Sequence, residues 1–145
     1  MTILERSVVI QATPETIDAF TADARRWPEW YPGVEQVEPD GQFPQVGGQA
    51  KVVYKAVGTH FHITFTSVEY DFGHSLAYRL EGMITGLMRY TLAPEGGATR
   101  VTGVYDYQVP GGGLGKVFDK LVLERMNADN LEKALANMKA MIEAG

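Results

Sequence analysis

The sequence predicts an α+β fold, a curved antiparallel sheet of about seven strands wrapped around one long C-terminal helix, with two short helices after the first strand. Three observations predict it. Residues 49–109 are a run of strand-like segments separated by short turn signals, which makes neighbouring strands antiparallel. From 114 to 143 apolar residues return at alternating steps of four and three, the stripe of a helix with one buried face. Ahead of both, a β-branched stretch over 3–11 runs into Thr13-Pro14-Glu15, where a threonine can cap a helix and a proline suits its first turn.

The elements follow in order. Ile17 and Phe20 give the first short helix an apolar face; Asp23 is placed to cap a second brief turn through Trp27, which Pro28 stops. Residues 34–38 read as a short strand, and 39–48, punctuated by Gly and Pro, as a mobile loop. The meander comprises 50–57, 60–70, 75–81, 84–92 and 98–109, with turns at Gly58-Thr59, 71–74, Gly82-Met83 and 95–97. Residues 110–113 break the pattern and let the chain turn sharply into the helix. That helix, about 45 Å long, carries Val117, Leu121, Ala128, Leu131, Leu135, Met138 and Ile142 on one stripe, interrupted by Glu124. Only the meander is large enough to cover it.

Composition narrows the function. At 145 residues, with 45% hydrophobic and 21% charged content, the chain fits one domain over 1–145 with a sizeable core. The absence of cysteine excludes a disulfide framework, a thiolate nucleophile and a cysteine-ligated zinc site. The net charge of -5, without a basic block, argues against nucleic acid as a partner. No run approaches the roughly 20 apolar residues of a membrane span, and the first residues lack a signal-peptide pattern, so a cytoplasmic protein is expected.

The order of strand, two short helices, six strands and long helix is shared with a known family. The carrying text is IQATPE over 10–15, DARRWPEWYPGV over 23–34, VGG over 46–48, YTLAP over 90–94, TRVT over 99–102, LANMK over 135–139 and Glu143. On these residues the chain resembles the START-like superfamily, also called SRPBCC or helix-grip proteins, and within it the polyketide cyclase/dehydrase and lipid-transport group. The resemblance implies a deep, mostly apolar cavity between sheet and helix that takes a lipid, sterol, polyketide, hormone or quinone; a minority of such proteins catalyse.

Alternation along the strands says which residues face that interior. Val52, Tyr54 and Ala56 oppose Lys51 and Lys55; Leu76, Tyr78 and Leu80 oppose Arg79 and Glu81; Met88, Tyr90 and Leu92 oppose Arg89; Val101, Tyr105 and Tyr107 oppose Asp106 and Gln108. Phe61, Ile63 and Phe65 form the apolar set of 60–70, but Val68 has the opposite parity, so either a bulge intervenes or His60, His62 and Thr64 look inward. So many inward tyrosines need hydroxyl partners, which suits a wet or ligand-filled space; the plain alternative has them reach water at the sheet ends. Trp27, Trp30 and Tyr31 either seal one end of the sheet or form the mouth of the cavity, with 39–48 as its lid. Phe118, Leu121 and Glu124 complete the expected ligand-binding set from the long helix.

Glu124 is the one candidate for catalysis. Pointing inward, its carboxyl gains an acid-base role through desolvation; with the helix rotated by some tens of degrees it moves to the flank and Arg125 approaches the cavity. His60 and His62 offer two metal ligands and no third, and the GGGLGKV run lacks both the first glycine and the Ser or Thr of a phosphate loop, so neither metal nor cofactor is expected. Three functions remain open: carriage of a hydrophobic small molecule, a cyclase or dehydratase using Tyr or Glu124, and a protein-interaction module built on exposed aromatics, the chain being a monomer or homodimer.

Overall fold

The computed structural model describes residues 2–109 and 120–145. Seven strands form one curved antiparallel sheet: β1 (Thr2–Ile10), β2 (Val34–Pro39), β3 (Gln49–Ala56), β4 (Thr59–Asp71), β5 (Ser75–Gly82), β6 (Thr85–Glu95) and β7 (Ala98–Gln108), in the order β1-β7-β6-β5-β4-β3-β2. Between β1 and β2 lie α1 (Pro14–Thr21), a 3₁₀ turn (Ala24–Arg26) and α2 (Trp27–Trp30); α3 (Lys120–Ala144) follows the sheet. The predicted α+β helix-grip architecture is the one observed. The expected helix start at 114, with Val117 and Phe118, lies outside the described residues. No helix among those described is long and apolar enough to cross a membrane.

Local chemistry explains the opening segment, with one correction. The Thr13 side chain accepts a hydrogen bond from the Thr16 amide and caps α1, with Pro14 in its first turn. Asp23 makes no such bond to the turn after it, and Pro28 does not stop a helix: it stands in the first turn of α2. A proline there forfeits only an amide that has no intrahelical acceptor, so it starts a helix as readily as it ends one. Fully buried Asp18 then fastens α1 to the β4–β5 turn, accepting from the Tyr70 hydroxyl at 2.7 Å and the Gly73 amide at 2.8 Å.

The sheet resolves the open question in β4. Its register with β5 shifts between Ser67 and Glu69, so a bulge reverses the parity: Phe61 and Ile63 are buried, while Val68 turns outward. His60 and His62 occupy the outer face, where His60 Nε2 meets Glu35 at 3.1 Å.

Helix α3 lies along β1 and is fastened to it from end to end. Thr2 Oγ1 donates to Glu124, Arg6 pairs with Glu132, Lys139 Nζ donates to the Val9 carbonyl, and the Gln11 amide donates to Glu143. Its buried face is Leu123, Asn127, Asn130, Leu131, Ala134, Leu135 and Met138. Leu131, Leu135 and Met138 match the predicted stripe, but in the first half the face is one residue earlier. Leu121 is 62% exposed and Glu124 lies on the flank. Two buried asparagines, which a purely apolar stripe passes over, define the rotation.

Candidate functional site

The WPEWYPG stretch folds across the concave face of the sheet. The Trp27 indole donates to the Thr21 carbonyl at 2.9 Å, which fixes its ring against Phe65 and Tyr78, with centroids 5.3 and 5.5 Å away. Trp30 is 2% exposed and tilts against Phe20, Tyr31 and Tyr90; its carbonyl accepts from Asn137 Nδ2 at 3.0 Å, tying α2 to α3. Gly33 follows at φ +94, where a Cβ would stand 2.6 Å from a Tyr54 ring carbon. Only glycine lets the chain turn this close to that ring.

A second piece covers the same end. The 39–48 segment, read above as a mobile loop, is folded: the Asp40 carboxylate accepts from the amides of Gln42, Phe43 and Gln49, and Gly47 and Gly48 exchange backbone hydrogen bonds with Ser67. Those amides hold the Asp40 carboxyl below its usual range. Their arrangement drives Phe43 into the core, where it stacks on Tyr78 at 5.3 Å and meets Trp27 edge-on.

Between the WPEWYPG stretch and the sheet is a small apolar cavity of about 40 Å³, with Phe43 packed behind two of its lining rings, Trp27 and Tyr78. Trp27, Trp30 and Tyr31 wall one side. The sheet supplies Val34, Val52, Tyr54, Ile63, Phe65, Tyr78, Met88, Tyr90 and Tyr105. Tyr54, Ile63, Phe65, Tyr78, Met88, Tyr90 and Tyr105 are thus brought together as the strand alternation predicts, and Trp30 and Tyr31 join them from α2 and the residue after it. Phe61 is buried beside the Tyr54 ring in the core and does not line the cavity; Leu121 faces outward. No described residue of α3 lines the cavity, which therefore lies under α2 and not against the C-terminal helix. The physical reason is shape. Leu131, Leu135 and Met138 interdigitate on their side of the interior, whereas flat rings held by hydrogen bonds and backbone turns leave a gap.

The polar atoms of this wall are few and neutral. The Tyr54 hydroxyl donates to Asn127 Oδ1 at 2.6 Å and accepts from Asn130 Nδ2 at 2.9 Å. Burial pushes its pKa up to about 12, against the opposing hydrogen bond from Asn130. Burial likewise lifts Tyr31, Tyr78, Tyr90 and Tyr105 well above the phenol range, with neighbouring tyrosines adding to the effect on Tyr31, Tyr78 and Tyr105. Tyr31 is half-buried as a residue, and it is the hydroxyl end that is desolvated. All remain protonated at neutral pH. Trp30 Nε1 and the Tyr78 hydroxyl are buried with no hydrogen-bond partner among the described residues. No carboxylate or imidazole lines the cavity.

Glu124 stands elsewhere. It accepts from Thr2 Oγ1 at 2.9 Å beside a separate depression lined also by Tyr107, Gln108 and Lys120. Arg125 is exposed and does not approach the cavity either. Asn127 and Asn130 are what sequence reasoning missed. Their signal is an i, i+3 pair of amides on the helix beside an inward tyrosine, one position away from the apolar stripe. No group of three potential metal ligands occurs among the described residues.

Comparison with known proteins agrees with this architecture. A family model described as polyketide cyclase / dehydrase and lipid transport matches residues 1–143. Among solved structures, TTHA0849 from Thermus thermophilus is 20% identical with a TM-score of 0.82, over 99% of this chain and 98% of that one. Zhui aromatase/cyclase from Streptomyces sp. R1128 is 17% identical with a TM-score of 0.80, over 98% and 93%. A START superfamily protein from Mycobacterium smegmatis is 14% identical with a TM-score of 0.79, over 98% and 97%. At these identities the likeness is one of fold. A search of curated proteins finds no match. The family match spans nearly the whole chain, and the chain belongs to the polyketide cyclase/dehydrase and lipid-transport family.

Proposed function

We propose that the chain binds and carries a small molecule whose uncharged, ring-bearing part occupies the aromatic cavity. The observation that carries this reading is the convergence of Trp27, Trp30, Tyr31, Tyr54, Tyr78, Tyr90 and Tyr105 on one gap, with the Trp30 and Tyr78 donors unpartnered beside it. An unmet buried donor costs about 1–3 kcal/mol, so a ligand oxygen there recovers stability that the fold gives up. The gap as it stands has room for roughly three waters, far below the ~300 Å³ of a typical ligand pocket. Binding therefore requires the covers to part, and Phe43, carried on a surface loop, is the side chain best placed to swing out.

Carriage fits the site better than catalysis. A cyclase or dehydratase, the activity in the family's description, needs a group that gives or takes a proton near neutral pH. Here the wall holds only tyrosines with raised pKa values, and Glu124 is outside it. An interaction module built on the tryptophans fits less well, since Trp27 and Trp30 are 6% and 2% exposed.

Both tryptophans of the chain line the cavity, so intrinsic fluorescence reads its occupancy. Titration with 1-naphthol or 1,4-naphthoquinone is expected to give saturable quenching in the wild type and none in Val52→Phe, which fills the gap while the protein stays folded by circular dichroism. Linear, non-saturable quenching in the wild type, or equal affinity in Val52→Phe, contradicts the reading.

A further inference from the structure

A second concavity opens on the outside of the same wall. It is a groove of about 410 Å³ between α3 and the start of β2, and it is lined by Lys55, Arg125 and Lys133, with Asp129 and Asn130 among its other residues. Three cations on one surface are ordinarily just a solvated face. Three features set these apart. The chain has 18 carboxylates to 13 cations, and Arg6, Arg26, Arg79, Arg89, Arg100 and Lys139 each hold one. Lys55, Arg125 and Lys133 have no ion pair among the described residues; Arg25, Lys51 and Lys120 share this, but of the six these three line one groove. Asp129 stands four residues from both Arg125 and Lys133, the spacing at which helical pairs form, yet pairs with neither. Finally, the groove has an inner end. Asn130 is 9% exposed and donates to the Tyr54 hydroxyl, and the Tyr54 ring lines the aromatic cavity.

We propose that this groove is an anion subsite, taking a phosphate or carboxylate group carried by the molecule whose apolar part occupies the cavity. The apolar half of this assignment rests on the function proposed above; the anionic half stands on the groove alone. Inside, the wall offers neutral donors and no cation, so a charged group is excluded there by desolvation. Outside, Lys55, Arg125 and Lys133 outnumber the one lining carboxylate, Asp129, and favour it, and the bidentate geometry of a guanidinium such as that of Arg125 suits a planar or tetrahedral oxyanion. Asn130 of the groove and Tyr54 of the cavity are joined by a hydrogen bond, so an amphiphile with its two ends in the two sites passes beside this pair.

Three titrations decide it, at low ionic strength because exposed charges are screened by salt. Sodium pyrophosphate, followed by calorimetry, probes the groove alone. 1-Naphthol and 1-naphthyl phosphate, followed by tryptophan quenching, share one apolar body with and without the anion. The variant is Arg125→Gln/Lys133→Gln, both exposed positions. The expected result is that naphthyl phosphate binds roughly tenfold tighter than naphthol, that pyrophosphate competes with it and not with naphthol, and that the double variant removes the difference while keeping naphthol affinity. Pyrophosphate binding that the double variant abolishes, with no advantage of naphthyl phosphate over naphthol, overturns the amphiphile and leaves a groove for a free anion. No pyrophosphate binding and equal naphthol and naphthyl phosphate affinities overturn the subsite and leave the cavity reading intact. If neither aromatic binds, the cavity reading is lost, and the pyrophosphate arm alone decides the groove.

Discussion

The concave face of the sheet is filled in two ways. Toward α3, Leu131, Leu135 and Met138 are buried to within 2% and close the interior with branched and flexible aliphatics. Toward α2, Trp27, Trp30, Phe43 and Tyr78 cover it with rings, and a cavity of about 40 Å³ remains. The two regions share a sheet and differ in what a side chain can do to fill space. An aliphatic chain adapts its rotamers to its neighbours until no gap is left, while a ring whose plane is fixed moves only as a whole. The first region holds the fold together, and the second keeps a space that a ligand can enlarge.

The comparison is broken most severely by Leu131→Ala. Removing a fully buried leucine from the aliphatic side costs about 3–4 kcal/mol, visible as a lower urea midpoint with unchanged slope, and naphthol affinity in the folded fraction changes little. On the aromatic side Phe43→Ala is expected to cost about 3 kcal/mol and, unlike the leucine change, to speed the naphthol association rate in stopped-flow quenching. Tyr54→Phe tests the link between them. It strips the hydroxyl from Asn127 and Asn130 and costs about 1–3 kcal/mol, and it shifts naphthyl phosphate affinity more than naphthol affinity. The smallest effect sharpens the role of the cover. Asp40 has a depressed folded pKa from the amides it accepts, so its contribution is full above the unfolded value near ~3.9 and disappears as pH falls through the lower folded value. Acid titration of near-ultraviolet circular dichroism is expected to report loss of Phe43–Tyr78 stacking over that window in the wild type, and no such step in Asp40→Asn.

Much of this was legible in the sequence because strand alternation is a local property. Lysines and arginines at 51, 55, 79 and 89 fix which way Tyr54, Tyr78, Met88 and Tyr90 point, and the structure agrees. The bulge in β4 is one of the two readings the sequence allows, since Val68 breaks the parity but cannot say where. The rotation of α3 was legible only as one of two readings, the one that moves Glu124 to the flank. Two asparagines occupy its buried face where a tyrosine hydroxyl from a strand 73 and 76 residues away bonds the Asn127 oxygen and the Asn130 nitrogen, and a stripe of apolar residues contains no record of that partner. The site of the cavity was partly hidden for the same reason: Trp27, Trp30 and Tyr31 wall it, as the mouth reading allows, but no apolar stripe records that the described part of α3 stays away from it.

The fastening of α3 along β1 has a consequence for how the chain is made. β1 is an edge strand whose partner is β7, with Thr2 opposite Tyr107 and Ile10 opposite Thr99, and its remaining fasteners lie on α3. During synthesis the β-branched segment of β1 emerges well before β7 and α3, and lacks these partners until they follow. Such long-range closure is slow, and an unpaired strand is an invitation to other chains. Glu5 and Arg6 put charged side chains on this strand, which makes burial against another edge costly.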